Sequence, residues 1–133
     1  MALPSVGGGY QIGDGNRNEI FLGEQADPQT ATSTATLTAA QITSGLLVAN
    51  PSTTAASYTL PTAASVDALL SNAKIGSTFN LSIVNLGTSS GALTIVAGTG
   101  WTLVGSATVA ITSSAQVLAY KTDAAAYTLY RVA

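Results

Sequence analysis

The sequence predicts an all-β protein with one short α-helix and an extended N-terminal arm. We expect the β region to be mainly antiparallel, in a β-sandwich or barrel of jelly-roll-like form. Three observations support this prediction. Apolar and polar residues alternate in short runs from Thr34 onward, turn signals recur about every ten residues, and the first thirty residues show neither pattern.

The composition favours a single domain that works within an assembly. The chain has 133 residues and a net charge of -2, and only 8% of its residues are charged, against about 25% in ordinary soluble domains. Ala, Thr and Ser account for 56 of the 133 residues. A surface made of hydroxyl and methyl groups repels neighbouring molecules weakly, which suits lattice contacts.

Residues 1–30 are predicted to form the arm, and residues 31–133 the β-rich core domain. The first segment holds four of the six acidic residues, one arginine and six of the thirteen glycines. Glycine-rich polar sequence cannot pack a core by itself, so we expect contacts with a neighbour to order it. A tail without a role is the alternative. The candidate anchors of the arm, which would contact a neighbouring molecule, are Tyr10, Ile12, Arg17, Ile20, Phe21 and Leu22.

The first half of the core domain is predicted to contain short strands and one helical turn. Residues 34–38 form a β-branched run, and residues 39–43 look like one helical turn that Gly45 stops. Residues 46–48 and 58–60 resemble strands that end before a proline, which cannot donate to a ladder.

The one predicted helix follows Thr62, a residue suited to cap it. Its apolar stripe would consist of Val66, Leu69, Leu70 and Ala73, which have helical spacing. The Asp67 carboxylate would lie in the early turns, where it interacts favourably with the helix dipole. Lys74 would lie in the last turn, and Gly76 would cap the C-terminus of the helix.

The second half alternates like a sheet. Phe79, Leu81 and Ile83 share one face, residues 87–91 form a loop of hairpin length, and Leu93 and Ile95 point inward. Further strands are predicted over residues 101–104, 108–112, 115–122 and 127–132. Parallel pairing would need a helix between most strands, and the sequence shows too few helices.

Enzyme chemistry finds little support in the sequence. The chain has no His and no Cys, so the commonest general base and the commonest thiol nucleophile are missing. Lys74 and Lys121 suit a helix end and a solvated strand end, and neither Asp67 nor Asp123 has a visible carboxylate partner. We therefore expect no enzyme activity, no catalytic residues and no cofactor.

The most specific hypothesis for a metal site is a calcium-binding loop. Asp14, Asn16 and Asn18 have the spacing that begins such a loop. However, Glu19 stands where the loop needs glycine and Gln25 where it needs glutamate, and an Asp-Gly-Asn turn explains the residues equally well. We predict no metal site, with an ion at these three residues left open.

The composition also argues against nucleic-acid and membrane partners. Four basic residues are too few for the usual nucleic-acid footprint, and no run of about 18 apolar residues could span a membrane. Trp101 follows Gly100 at the start of a strand, which is typical of a core or interface anchor.

Several of these segments, in this order, resemble the head decoration (cement) proteins of tailed bacteriophages, especially those of short-tailed cyanophages. The similarity covers roughly residues 34–132. Its segments are residues 50–51, 58–63 with the helix that follows, 79–85, 93–103 and 127–131.

The resemblance implies a structural virion protein without enzyme activity. Such a protein is made in the host cytoplasm, trimerises on the outer surface of the capsid and stabilises contacts between major capsid protein subunits. Arms at the chain end commonly reach across subunit boundaries in this family. The alternatives are a tail-fibre or baseplate β-domain that binds a host glycan, with Trp101 or Tyr130 as candidate contacts, and a small hydrolase.

Overall fold

The computed structural model describes residues 23–133, which form ten β-strands and two short α-helices. The helices are α1 (Ala39–Thr43) and α2 (Ala63–Leu69). The strands are β1 (Gln29–Ala31), β2 (Ala35–Thr36), β3 (Leu46–Ala49), β4 (Ala56–Thr59), β5 (Thr78–Asn85), β6 (Leu93–Val96), β7 (Trp101–Val104), β8 (Thr108–Val109), β9 (Ser114–Asp123) and β10 (Ala126–Arg131).

The strands form two mixed sheets. One sheet has six strands in the order β1-β3-β5-β9-β10-β7, and the other has four in the order β2-β4-β6-β8. The chain changes sheet at every step from β1 to β9, and only then continues within the larger sheet. Neighbouring strands within a sheet are therefore seldom neighbours in sequence.

This alternation overturns the prediction of a mainly antiparallel arrangement. Five of the eight pairings between the described strands are parallel, namely β1 with β3, β3 with β5, β2 with β4, β4 with β6, and β7 with β10. Parallel neighbours usually need a helical crossover. Here a strand of the other sheet often makes the return passage, so helices are not required. The loop over residues 87–91 has hairpin length, but it joins β5 and β6 in different sheets.

The predicted alternation within strands is confirmed. Leu81 and Ile83 are buried and Phe79 is partly buried on β5, while Leu93 and Ile95 are buried on β6. Buried side chains from both sheets belong to one hydrophobic core, and residues of the connections, such as Ile42 and Val66, complete it. The core therefore depends on strands that are distant in sequence.

Both helices begin where the sequence predicts, but α2 ends earlier than predicted. Helix α1 occupies the predicted helical turn, and Thr38 caps it together with the Gln41 side chain in a capping box. The Thr62 hydroxyl accepts a hydrogen bond from Ser65 N at 3.3 Å, as expected of a cap. However, α2 ends at Leu69.

The predicted apolar stripe of α2 is wrong. Val66 is buried, but Leu69 is 52% exposed and Ala73 lies beyond the helix. Leu70 leaves the helical conformation with φ -102° and ψ 61°, which ends the helix one turn earlier than the spacing predicted. Lys74 and Gly76 therefore belong to the connection to β5 and not to the end of the helix.

Candidate functional site

The strongest candidate for a functional surface is the side of the six-stranded sheet that points away from the core. Along four of its strands, β5, β9, β10 and β7, residues that point toward the core alternate with residues that point outward. We call these outward residues the outer face. They are Thr78, Asn80, Ser82, Val84, Thr102, Val104, Ser114, Gln116, Leu118, Tyr120, Thr128 and Tyr130.

The part of the outer face next to the edge strand β7 is apolar. Tyr130 lies beside Val104 in the parallel pairing with β7 and beside Leu118 in the antiparallel pairing with β9. Val104 is 46% exposed and Tyr130 is 38% exposed. One row of three adjacent strands thus presents three apolar side chains together, and large apolar side chains grouped at a surface are typical of interaction sites.

A second row beside it carries hydroxyl groups. Thr128 pairs with Tyr120 on β9 and with Thr102 on β7. Thr128 is only 9% exposed although it points outward, whereas Tyr120 is 37% exposed. None of the twelve residues of the outer face carries a charge.

The charged residues of this sheet lie off the outer face. Lys121 points to the opposite side of β9, where its Nζ atom lies 2.8 Å from Asp67 Oδ1. The Arg131 guanidinium donates to the carbonyl oxygens of Ser106 and Thr108, on the segment that follows β7. Asp123 ends β9, at the turn into β10.

Asp67 is the centre of a polar cluster that joins α2 to β9 and β10. Its carboxylate accepts hydrogen bonds from the Tyr127 hydroxyl at 2.6 Å and from Ala125 N at 2.7 Å, besides the ion pair with Lys121. We call Asp67, Lys121, Ala125 and Tyr127 the Asp67 cluster. Hydrogen bonds from Lys121, Tyr127 and Ala125, in decreasing order of effect, lower the pKa of Asp67 to about 2.

An aromatic stack supports this cluster from the core side. The rings of Trp101 and Tyr127 are stacked with centroids 5.1 Å apart, and Phe79 approaches Tyr127 edge-on at 6.2 Å. Burial, followed by the hydrogen bond to Asp67, raises the pKa of Tyr127 above its ordinary value. The Asp67 carboxylate is occupied by three donors, so the arrangement fastens α2 to the sheet and leaves no free base.

The structure places Trp101 in the core. The residue is 7% exposed, and its Nε1 atom donates to the Pro61 carbonyl oxygen at 2.7 Å. This side chain is therefore buried within its own domain and is not a platform for a glycan. The other residue considered for a glycan, Tyr130, is exposed on the outer face.

A second polar cluster lies where β5 ends, at Asn85. Asn85 is 1% exposed, and its Nδ2 atom lies 3.1 Å from the carbonyl oxygens of Gly91, Val109 and Ala110. Its Oδ1 atom accepts from Gly87 N at 2.8 Å. One neutral side chain thus holds the β5–β6 connection against the end of β8, and we call these five residues the Asn85 cluster.

The structure brings together residues that the sequence analysis kept apart. Lys121 was expected to be a solvated strand end and Asp67 to lack a partner, but the two form an ion pair in which the Lys121 side chain is only 11% exposed. The paired residues are far apart in sequence, and no local pattern marks them. Lys74, the other candidate base, is exposed in the connection after α2.

The candidate arm residues fall outside residues 23–133, as do the three residues of the calcium hypothesis. The arm residues are Tyr10, Ile12, Arg17, Ile20, Phe21 and Leu22, and the calcium residues are Asp14, Asn16 and Asn18. Within the described part of the chain, no group of three or more Asp and Glu side chains is placed to hold a metal ion. No helix formed by residues 23–133 is long and apolar enough to cross a membrane.

Comparison with protein-family models, curated protein sequences and solved structures finds no match to this chain.

Proposed function

We propose that this chain is a structural protein of a bacteriophage virion. In this proposal it decorates the outer surface of the capsid as a homotrimer, and it stabilises contacts between major capsid protein subunits without enzyme activity or a cofactor. The observation that carries the proposal is the uncharged outer face with its apolar row of Leu118, Tyr130 and Val104. A small domain with such a face is suited to fixed contacts in an assembly.

The fold supports a mechanical role. We propose that the two sheets pack face to face as a sandwich, because buried side chains from both share one core. The Asp67 and Asn85 clusters fasten the connections at the two ends of β5. A domain held in this way can transmit load between neighbours with little change of shape.

The arm supplies the second contact in this proposal. Its four acidic residues would meet basic patches of the major capsid protein, Arg17 would meet an acidic one, and its apolar anchors would lie along the capsid or a neighbouring protomer. Once one arm of a trimer is attached, the other two arms are held near the capsid at a high effective concentration. Weak single contacts would then add up to stable decoration.

Binding to undecorated phage heads tests the proposal. The full-length protein should co-sediment with heads lacking their decoration protein, and decorated heads should withstand heating better than bare ones. An Ile12→Asp, Phe21→Asp double variant should bind heads more weakly, while a Leu86→Asp variant at an exposed site of the core domain should bind normally. Full-length protein that stays in the supernatant would contradict the decoration function.

A tail-fibre or baseplate domain that attaches to the host is the second candidate. The exposed rings of Tyr120 and Tyr130, next to threonine hydroxyls, favour it because sugars stack on aromatic rings and bond to hydroxyl groups. This function predicts binding to host cells and not to heads. Competition by purified surface glycans would then identify the ligand class.

A further inference from the structure

We infer that Arg131 blocks the free edge of β8 and so prevents another molecule from adding a strand to the four-stranded sheet. Strand β8 is the last strand of that sheet, with β6 on one side and no strand of the described residues on the other. An edge strand offers unpaired backbone N–H and C=O groups, which are a template for strand addition and aggregation. This role of Arg131 is independent of the proposed virion function.

The pairing of β6 with β8 shows which backbone groups of β8 face outward. The two strands are antiparallel, with Thr94 opposite Thr108. Ile95 N donates to the Ala107 carbonyl oxygen at 2.8 Å, so Ala107 belongs to a hydrogen-bonded pair. Hydrogen-bonded and non-hydrogen-bonded pairs alternate along an antiparallel ladder. The N–H and C=O groups of Thr108 therefore point away from β6, toward the free edge.

Both of these outward groups of Thr108 already have a partner. Arg131 Nη1 donates to the Thr108 carbonyl oxygen, and Thr108 N donates to Ser106 Oγ at 3.4 Å. Arg131 Nε donates to the Ala133 carbonyl oxygen at 3.1 Å, which fixes the direction of the planar guanidinium group. An incoming strand would have to displace a charge-assisted hydrogen bond before it could pair with Thr108.

The edge of β8 is covered by side chains of the opposite sheet. Arg131 belongs to β10, and Asn85, whose Nδ2 atom lies 3.1 Å from the Ala110 carbonyl oxygen just after β8, belongs to β5. Asn85 also holds the β5–β6 connection, so its loss would disturb more than the edge. Arg131 is therefore the residue at which blocking of the edge can be tested separately.

The larger sheet has a similar contact at its edge strand β1. The Ala31 carbonyl oxygen accepts from Asn50 N at 2.8 Å, so the carbonyl group of the preceding residue, Thr30, faces away from β3. Gln41 Nε2 on α1 donates to this Thr30 oxygen at 2.9 Å. One edge of each sheet thus has an outward carbonyl group occupied by a side-chain donor, which favours edge blocking as a shared purpose of the two contacts.

Arg131 also lies over apolar side chains between the two sheets. A cavity of about 20 Å³ is lined by Ile95 and Val109 of the smaller sheet, by Leu129 of the larger sheet and by Arg131 itself. If the Arg131 contact is lost, β8 loses one of its attachments to the larger sheet. Opening at this point would expose apolar surface together with the strand edge, and both favour association.

Hydrogen exchange at single amides tests whether Arg131 holds the edge. Arg131→Met keeps a long side chain and removes every donor. The Ile95 amide, which pairs with Ala107, should exchange roughly tenfold faster than in wild type, because β8 opens more often. The Leu37 amide, which donates to Thr59 at the opposite edge of the same sheet, should change little. Lys74→Met is the matched control, since it removes the same charge from an exposed connection.

Incubation at high protein concentration tests whether the opened edge accepts a strand. Arg131→Met should form assemblies that are larger than those of wild type and that bind thioflavin T, whereas Lys74→Met should behave as wild type. Adding Thr108→Pro to Arg131→Met should suppress this growth, because proline removes the outward N–H of the edge. General destabilisation would not be corrected by a proline at this position.

The role of Arg131 is overturned by any of three results. They are wild-type exchange at Ile95 in folded Arg131→Met, equal assembly of Lys74→Met, and continued growth after Thr108→Pro is added. If circular dichroism shows that Arg131→Met is unfolded, Arg131→Lys decides, because lysine keeps the charge but cannot contact Ala133 and Thr108 through separate nitrogens. Several-fold faster exchange at Ile95 in that variant supports the role, and unchanged exchange overturns it.

Discussion

The two ends of β5 are fastened by polar clusters of opposite character. At its end, the neutral Asn85 side chain is almost fully buried and bonds only to backbone groups. Near its start, the Asp67 cluster holds a charged pair that is partly open to solvent. Both clusters attach a connection to the sheet, but only the second can respond to pH. The comparison therefore distinguishes a neutral contact, whose strength does not depend on pH, from a contact that requires an ionised carboxylate.

The largest expected effect is at the neutral cluster. An Asn85→Ala variant leaves three carbonyl oxygens and the Gly87 N–H without their partner in a buried site, so it should lower the free energy of unfolding by about 3–5 kcal/mol. Urea denaturation measures the change. The matched control is Asn80→Ala, on the exposed side of the same strand, for which we expect a change within about 0.5 kcal/mol. Equal losses in both variants would refute the role given to Asn85.

The glycines beside Asn85 should also tolerate little change. A Cβ atom at Gly91 would approach the Ser52 carbonyl oxygen more closely than real Cβ atoms do, so backbone must shift. Gly91→Ala should therefore destabilise the fold by about 1–3 kcal/mol in the same assay. Gly23→Ala, where nothing lies within 4 Å of the added atom, should leave the stability nearly unchanged.

Acid should weaken only the charged cluster. The pKa of Asp67 is lowered to about 2 in the folded protein, whereas an unfolded aspartate has a pKa of about 3.9. The cluster's contribution is thus present above about pH 4 and is lost as the pH falls toward 2. Melting temperatures measured across this range should fall less steeply in Asp67→Asn than in wild type. An identical slope in the two proteins would show that Asp67 is not the group responsible.

The smallest expected effect is a gain in stability at Ala125. This residue has φ +51°, in the left-handed region that favours glycine, while its N–H donates to Asp67. Ala125→Gly keeps that hydrogen bond and relieves the strain, so it should stabilise the fold by about 0.5 kcal/mol. Ala124→Gly, at the neighbouring turn residue, should instead be neutral or slightly destabilising. A loss at position 125 equal to that at 124 would contradict this account.

The sequence predicts the strands well because their signal is local. Alternation around Leu81 and Ile83, and the prolines after β3 and β4, place strands where the structure has them. Pairing direction could not be predicted in this way, because it depends on which sheet receives each strand. Leu69 shows the same limit, since its spacing fits a helical stripe that an early helix end removes.

The outer face and the Asp67 cluster were not predicted, for a related reason. Tyr130, Val104 and Leu118 become neighbours only when three strands are placed side by side, and Tyr127 lies 60 positions from Asp67. Lys121 and Asp67 each look like ordinary solvated charges when read alone. No local pattern marks the outer face, because β9 and β10 also contain the charged residues Lys121, Asp123 and Arg131.

The strand alternation between sheets has a consequence for how the chain folds. Among the described strands, only β9 and β10 are both consecutive in sequence and hydrogen-bonded to each other. Every other pairing must close a longer loop before it gains contacts, which raises contact order and slows folding. We therefore expect the β9–β10 hairpin to form first. Until the chain has wound between both sheets, its unpaired strands are exposed to pairing with other copies, so slow folding favours aggregation.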